Sequence, residues 1–215
     1  MALVSRAGNK LSEAASVFSY DFRGKTVLDI GSSTGGFTEY ALKKGASKVF
    51  AIEKGTNQLA MRLKGNPKVE LHEKTDIFEV ISEKKNNSLN LQNNVDGRLT
   101  QKLIIDVPDV ILADVSFVSL KKVLLYVRDN IAGAKTDFLV MLKPQFEAKD
   151  SQLNRGVVKN EKMRRDIVKD FEFWLKKSGF LMVKKHDNEL TGKNGNRERF
   201  YLLKISDNFL DTRNA

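Results

Sequence analysis

The chain has 215 residues, 41% hydrophobic and 30% charged, with no cysteine and a net charge of +10 from 37 Lys+Arg against 27 Asp+Glu. The missing cysteine excludes disulfides, thiolate metal sites and cysteine nucleophiles, and with only His72 and His186 no metal site is expected. No apolar run approaches the roughly 20 residues that cross a bilayer, nor does an apolar leader segment follow the N-terminus, so the chain reads as cytoplasmic with no membrane partner. The excess of positive charge favours a polyanionic partner such as nucleic acid, without deciding for one.

Taken in order, the elements alternate between helix-periodic segments and apolar runs of strand length, the pattern of a parallel sheet covered by helices. Gly8 to Tyr20 carries Leu11, Ala14, Ala15 and Phe18 at helical spacing. Thr26–Ile30 is a strand, residues 31–36 a small-residue loop, and a helix runs from Phe37 to about Lys44, stopped at Gly45. Lys48–Glu53 is the second strand, Leu59–Leu63 a short helix and Val69–His72 a third strand. The polar, Asn-crowded stretch from Lys84 to Gln101 has no usable period and reads as a surface insertion (84–102). Asp109–Ala113 is a strand, a helix follows at about Leu120–Ile131, and Asp137–Leu142 is the next strand. Pro144–Gly156 reads as a long polar loop, and Glu161–Lys177 as an amphipathic helix with Met163, Ile167, Phe171 and Trp174 facing inward, Arg164 and Arg165 outward. Phe180–Lys185 and Glu198–Ile205 close the chain as an antiparallel hairpin. The expected fold is therefore a Rossmann-like α/β domain over residues 1–215, with a mostly parallel sheet and helices on both faces.

The stretch TVLDIGSSTGGF places a strand directly before a loop that opens a helix. Glycine lets the backbone approach a ligand, and a helix N-terminus offers N–H groups to an anion. The glycines fall at Gly31, Gly35 and Gly36, which departs from the dinucleotide fingerprint G-x-G-x-x-G. The pattern suits S-adenosylmethionine, with NAD the alternative. Candidate cofactor contacts are Asp29, then Gly31, Ser32, Ser33, Thr34, Gly35, Gly36 and Phe37 of the loop. Glu53, about 20 residues on, suits ribose hydroxyls, with Lys54 beside it. Asp76 suits the adenine amino group.

Ligands of open α/β sheets sit at the carboxyl ends of the strands. Asp114 follows VILA, Lys143 follows DFLVML, and Glu198 opens the last strand, while Lys10 on the leading helix can fold over the same cleft. This cluster suits methyl transfer to a hydroxyl, in which positioning of the attacking oxygen supplies much of the effect. Lys143 is the candidate to contact that oxygen, either taking its proton or directing its lone pair. Asp114 and Phe117 also border the cofactor; Phe117 either stacks near the adenine or packs. Gln145 and Phe146 either shape the acceptor pocket or anchor their loop, and Arg6, Lys149, Arg155 and Lys159 are candidate phosphate contacts or ordinary solvated charges.

The stretches SRAGNKL (Ser5–Leu11), LDIGSSTGGFTEYAL (Leu28–Leu42), VFAIEKGTNQLAMRLK (Val49–Lys64), LADVSFVSL (Leu112–Leu120), LVMLKPQFE (Leu139–Glu147), GVV (Gly156–Val158) and TGKNGNRERF (Thr191–Phe200) together resemble the TlyA-type haemolysin and ribosomal RNA methyltransferases of the FtsJ-like superfamily. The resemblance covers nearly the whole chain. It implies S-adenosylmethionine as cofactor and a Lys-Asp-Lys-Glu tetrad on Lys10, Asp114, Lys143 and Glu198. It also implies 2′-O-methylation of cytidine ribose in ribosomal RNA or ribosomal subunits. Family members carry an N-terminal S4-type RNA-binding domain, absent from this sequence, and an apolar residue where Arg199 stands. Two other functions compete: a cofactor- or RNA-binding domain without catalysis, and, from the haemolysin label, a membrane-lysing protein. Lysis calls for an exposed apolar or strongly amphipathic segment, and none is evident.

Overall fold

The computed structural model describes residues 3–89, 102–190, 195–207 and 209. Its elements in chain order are α1 (Arg6–Phe18), β1 (Thr26–Ile30), α2 (Gly36–Lys43), β2 (Lys48–Ile52), β3 (Val69–His72), β4 (Val80–Ser82), α3 (Glu83–Leu89), β5 (Leu103–Ile105), β6 (Val110–Ala113), α4 (Leu120–Asn130), β7 (Asp137–Leu142), α5 (Pro144–Glu147), β8 (Leu153–Asn154), β9 (Val157–Val158), α6 (Glu161–Lys177), β10 (Phe180–Asp187) and β11 (Arg199–Ile205). Seven strands form the central sheet in the order β10-β11-β7-β6-β1-β2-β3. β1, β2, β3, β6 and β7 pair in parallel, and β11 pairs antiparallel with both β7 and β10. The terminal pair is thus antiparallel as expected, but β10 runs with the parallel strands and β11 alone is reversed, inserted between β7 and β10.

The two faces of the sheet follow from the period-two alternation of each strand. Leu28, Ile30, Ile111, Phe138, Val140, Tyr201 and Leu203 pack under Leu120, Val123, Leu124 and Val127 of α4 and Val168, Phe171 and Leu175 of α6. The alternate residues Val27, Val110, Leu112, Leu139, Met141 and Phe200 pack under Leu11, Ala14 and Phe18 of α1 and Phe37, Tyr40 and Ala41 of α2. Helices therefore cover both faces, and Trp174 packs against the core as its spacing predicts.

Several local expectations are corrected. Leu59 and Leu63 do not lie on a helix: residues 61–65 form turns, and both leucines are held against Gly35, where a Cβ would meet their Cδ1 atoms at 2.7 and 2.4 Å. The expected insertion begins as α3, next to the small parallel pair β4–β5; the remainder of that stretch, 90–101, lies outside the described residues. The polar loop after β7 is structured, holding α5, a 3-10 turn at Asp150–Gln152 and the hairpin β8–β9. Arg164 is buried, not outward-facing, because it donates to the Arg197 carbonyl (3.1 Å) and to the Asp187 carboxylate. Among the described residues no helix is long and apolar enough to cross a membrane.

Candidate active site

Chain order reverses at β1, with β2 on one side and β6 on the other. At this switch point the carboxyl ends of β1, β2 and β6 open onto a cleft of about 690 Å³, a size ordinary for a cofactor. Its walls include Gly31, Ser33, Glu53, Lys54, Asp76, Asp114 and Phe117, bringing together expected contacts from four separate stretches of sequence. A smaller lobe of about 140 Å³ adjoins Asp29, Ser32, Thr34, Gly36, Phe37 and Asp114.

Each loop glycine has its own reason. Gly31 is left-handed (φ 76°), and a Cβ there would meet the Asp114 carbonyl oxygen at 3.0 Å. Gly35 is also left-handed (φ 90°) and accommodates Leu59 and Leu63. Gly36 lets α1 approach, since a Cβ there would lie 2.2 Å from Ser5 Oγ and 2.8 Å from the Gly8 nitrogen. The loop amides are largely committed within the protein. Gly31 and Ser32 donate to the Ile52 carbonyl (2.9 and 3.2 Å), and the Ser33 N–H donates to Glu53 Oε2 (2.8 Å).

Glu53 also accepts from the Gly55 N–H (2.6 Å) and from Gln58 Nε2 (3.4 Å), both at Oε1. Among the described residues Oε2 carries only the Ser33 bond, so it retains acceptor capacity toward the cleft. Gln58 accepts in turn from the Ser33 hydroxyl (3.0 Å), tying the β1 loop to the β2 end; nothing in the sequence spacing marked it. Asp76 caps the 3-10 turn Ile77–Glu79 by accepting from the Phe78 N–H (3.2 Å) and pairs with Lys54 (2.9 Å). Burial opposes the charge on Asp76, but Lys54 and that N–H hold its carboxyl below the usual range.

Asp29 is fully buried. Oδ2 accepts from Thr38 Oγ1 (2.6 Å), whereas among the described residues Oδ1 has no hydrogen-bond partner, as is also true of Ser32 Oγ. Burial, with Asp114 and Glu53 adding, pushes the Asp29 carboxyl up to about 7 against the bonds from Thr38. A buried acceptor left open at the end of β1 is the natural complement of an ammonium group, so these residues fit the amino-acid end of S-adenosylmethionine.

The four charged candidates resolve into two ion pairs. Lys143 Nζ lies 2.6 Å from Asp114 Oδ1 and donates to Ser116 Oγ (2.8 Å). Lys10 pairs with Glu198, both almost wholly buried. β6 and β7 are neighbours, which sets Asp114 and Lys143 side by side. β11 is reversed and starts opposite the end of β7 (Arg199↔Leu142), so Glu198 arrives at the same edge. Phe117 is 93% exposed in the left-handed region (φ 64°), its ring 5.3 Å from that of Phe146. Such a conformation is strained for a non-glycine residue and is concentrated at functional sites.

Further polar contacts to which the sequence reading gave no role brace the neighbouring elements. Arg199 donates in a fork to Asp187 (2.8 and 2.6 Å) and also to Glu172 (3.0 Å). Burial notwithstanding, Arg199 and Arg164 hold the Asp187 carboxyl down at about 2. Glu147 accepts from Ser119 Oγ (2.7 Å) and the Leu120 N–H (2.6 Å), tying α5 to the start of α4. Asn196 clips the β8–β9 hairpin through the Val158 N–H (3.1 Å) and the Gly156 carbonyl (3.0 Å).

The FtsJ-like methyltransferase family model matches residues 3–205. The chain belongs to that family. Among its relatives is the 23S rRNA (cytidine-2'-O)-methyltransferase TlyA of Campylobacter jejuni, 35% identical over 200 residues, covering 92% of this chain and 69% of the relative. Hemolysin A of Brachyspira hyodysenteriae is 31% identical over 196 residues, covering 91% of this chain and 74% of that one. A solved structure of a haemolysin-named protein from Streptococcus thermophilus superposes with a TM-score of 0.81 at 28% identity, covering 96% of this chain and 68% of the other. The chain thus spans about two thirds to three quarters of the length of these proteins.

Proposed function

We propose that the chain is an S-adenosylmethionine-dependent RNA methyltransferase of the cytoplasm that 2′-O-methylates cytidine ribose in ribosomal RNA. The observation that carries this reading is the Lys143–Asp114 pair bordering the nucleoside-sized cleft, beside the buried Lys10–Glu198 pair. The name of the Campylobacter relative supports the substrate class, and the net charge of +10 suits an RNA partner. When bound, S-adenosylmethionine supplies an electrophilic methyl group. Glu53 accepts from the ribose hydroxyls, Asp76 from the adenine amino group and Asp29 from the ammonium, while Phe117 presents an apolar plate braced by Phe146. Lys143, oriented by Asp114 and Ser116, holds the acceptor 2′-oxygen so that a lone pair faces the methyl group. Lys10 and Glu198 neutralise one another and fix the wall behind it. Forming the new C–O bond would break the methyl–sulfur bond and leave S-adenosylhomocysteine, with the hydroxyl proton passing to solvent.

The test is transfer of tritiated methyl to ribosomal RNA and to isolated subunits, followed by mapping of the labelled nucleotide. Label on a cytidine 2′-oxygen is expected, and RNA left unlabelled in both substrates defeats the proposal. Lys143→Ala should lower transfer at least about a hundredfold while binding S-adenosylhomocysteine within about twofold of the parent. Full activity in that variant removes Lys143 from the mechanism.

A further inference from the structure

Two short segments lie side by side at the catalytic edge, 114–119 after β6 and 143–147 after β7. Their first residues, Asp114 and Lys143, are paired at 2.6 Å. Lys143 also donates to Ser116 Oγ (2.8 Å), and the Phe117 and Phe146 rings lie 5.3 Å apart. The far ends are joined through Glu147. Ser119 is the N-cap residue of α4, with extended backbone (φ −67°, ψ 129°), yet among the described residues its side chain makes no capping bond. Serine is favoured at that position because its hydroxyl accepts from an orphan helix N–H. Here the hydroxyl instead donates to Glu147 Oε2 (2.7 Å), and Glu147 Oε1 accepts from the Leu120 N–H (2.6 Å).

A carboxylate brought from another element is a costly way to cap a helix whose own serine is in place. Burial pushes the Glu147 carboxyl up, against the bonds from Ser119 and Leu120. What the distant cap adds is a closed ring. It runs from Lys143 through α5 to Glu147, across to Ser119, back along the chain to Ser116, and over to the lysine ammonium. The α5 side of that ring is stiff. Pro144 at the first helical position presets its turn, and the Phe146 N–H donates to the Lys143 carbonyl (3.0 Å). We propose that Glu147 is a positioning residue for Lys143, an inference that rests on the methyl-transfer reading above. By pinning Ser119 and Leu120, it sets the 114–119 segment where Ser116 and Asp114 hold the ammonium.

The first measurement needs no substrate. Dilute acetic anhydride is applied to the ligand-free full chain, and mass spectrometry follows acetylation of each lysine. Glu147→Ala should speed labelling of Lys143 roughly fivefold, the factor expected when one hydrogen bond is lost, while Lys10 in its own buried pair stays within about twofold. Glu147→Gln keeps an acceptor for the Leu120 N–H and should recover most of the parent's behaviour. Ser119→Ala removes one of the two bonds, should raise Lys143 labelling about threefold, and carries the test should Glu147→Ala fold poorly. The second measurement is single-turnover methyl transfer to ribosomal RNA. Glu147→Ala should slow it roughly tenfold in the parent, but less than about twofold once Ser116→Ala has already freed the lysine, because residues acting through one link are not additive. A merely structural Glu147 would slow both backgrounds equally. That result, or unchanged Lys143 labelling in both Glu147→Ala and Ser119→Ala, overturns the proposal. A parent that methylates no RNA, with Lys143 labelling raised as expected, overturns the methyltransferase reading and leaves the link from Glu147 to Lys143 standing.

Discussion

Asp29 has one oxygen bonded to Thr38 and one open toward the cleft, which couples its ionisation to whatever arrives there. Burial raises its carboxyl to about 7, whereas in an unfolded chain it would ionise near pH 4. Between roughly pH 4 and 7 the folded state binds more protons than the unfolded state, so this residue's contribution to stability falls as pH rises through that window. An ammonium beside Oδ1 reverses the preference by favouring the ionised form. Binding of S-adenosylhomocysteine at pH 6 should therefore release a proton, and affinity should rise toward pH 7. Calorimetry in two buffers of different ionisation enthalpy reads that proton directly. Asp29→Asn should abolish the buffer dependence, and a parent protein showing none would remove Asp29 from the ammonium site. The sequence placed Asp29 at the strand end, but not its open oxygen, because that depends on Thr38 reaching back from α2.

At the scale of elements, the contact between α1 and the β1–α2 loop is governed by the lack of side chains at Gly8 and Gly36. A Cβ on Gly8 would lie 2.8 Å from the Gly36 carbonyl oxygen, and one on Gly36 would lie 2.8 Å from the Gly8 nitrogen. These obstacles are backbone atoms and cannot rotate away. Gly36→Ala should thus lower unfolding stability by about 1–3 kcal/mol, the usual cost of overpacking. Urea titration checks this, and an unchanged midpoint would show that α1 is free to shift. The strands of the central sheet were legible because each apolar run stops at a charge or a turn, as at Asp114 and Lys143. Where legibility failed, distant partners were responsible. Leu59 and Leu63 share helical spacing but are held by Gly35. Arg164 looked solvent-facing because its partners, Asp187 and the Arg197 carbonyl, come from later strands and loops. The cluster of Lys10, Asp114, Lys143 and Glu198 was readable as a group; its division into Lys143–Asp114 and Lys10–Glu198 follows from the reversed direction of β11.

For the whole molecule, the net charge of +10 sets the long-range behaviour toward a polyanion. If ribosomal RNA is the substrate, association should weaken steeply with salt, the logarithm of the binding constant falling linearly with the logarithm of salt concentration. Filter binding between about 50 and 200 mM salt measures the slope, and a flat response would mean that phosphate contacts contribute little. Substitutions such as Lys143→Ala should change catalysis far more than that slope, since one charge of many is removed.

The buried pair between Lys10 and Glu198 joins residues 188 positions apart. Glu198 is held at the head of β11, and β11 fills the slot between β7 and β10. A nascent chain still lacking that strand would have a gap in its sheet and an unpaired Lys10 facing it. The cofactor-facing half, built from β1, β2 and β6, is complete much earlier in synthesis. If the chain works as proposed, capacity to hold a cofactor can therefore precede capacity to use it, with β11, the last of the seven sheet strands in chain order, completing the site.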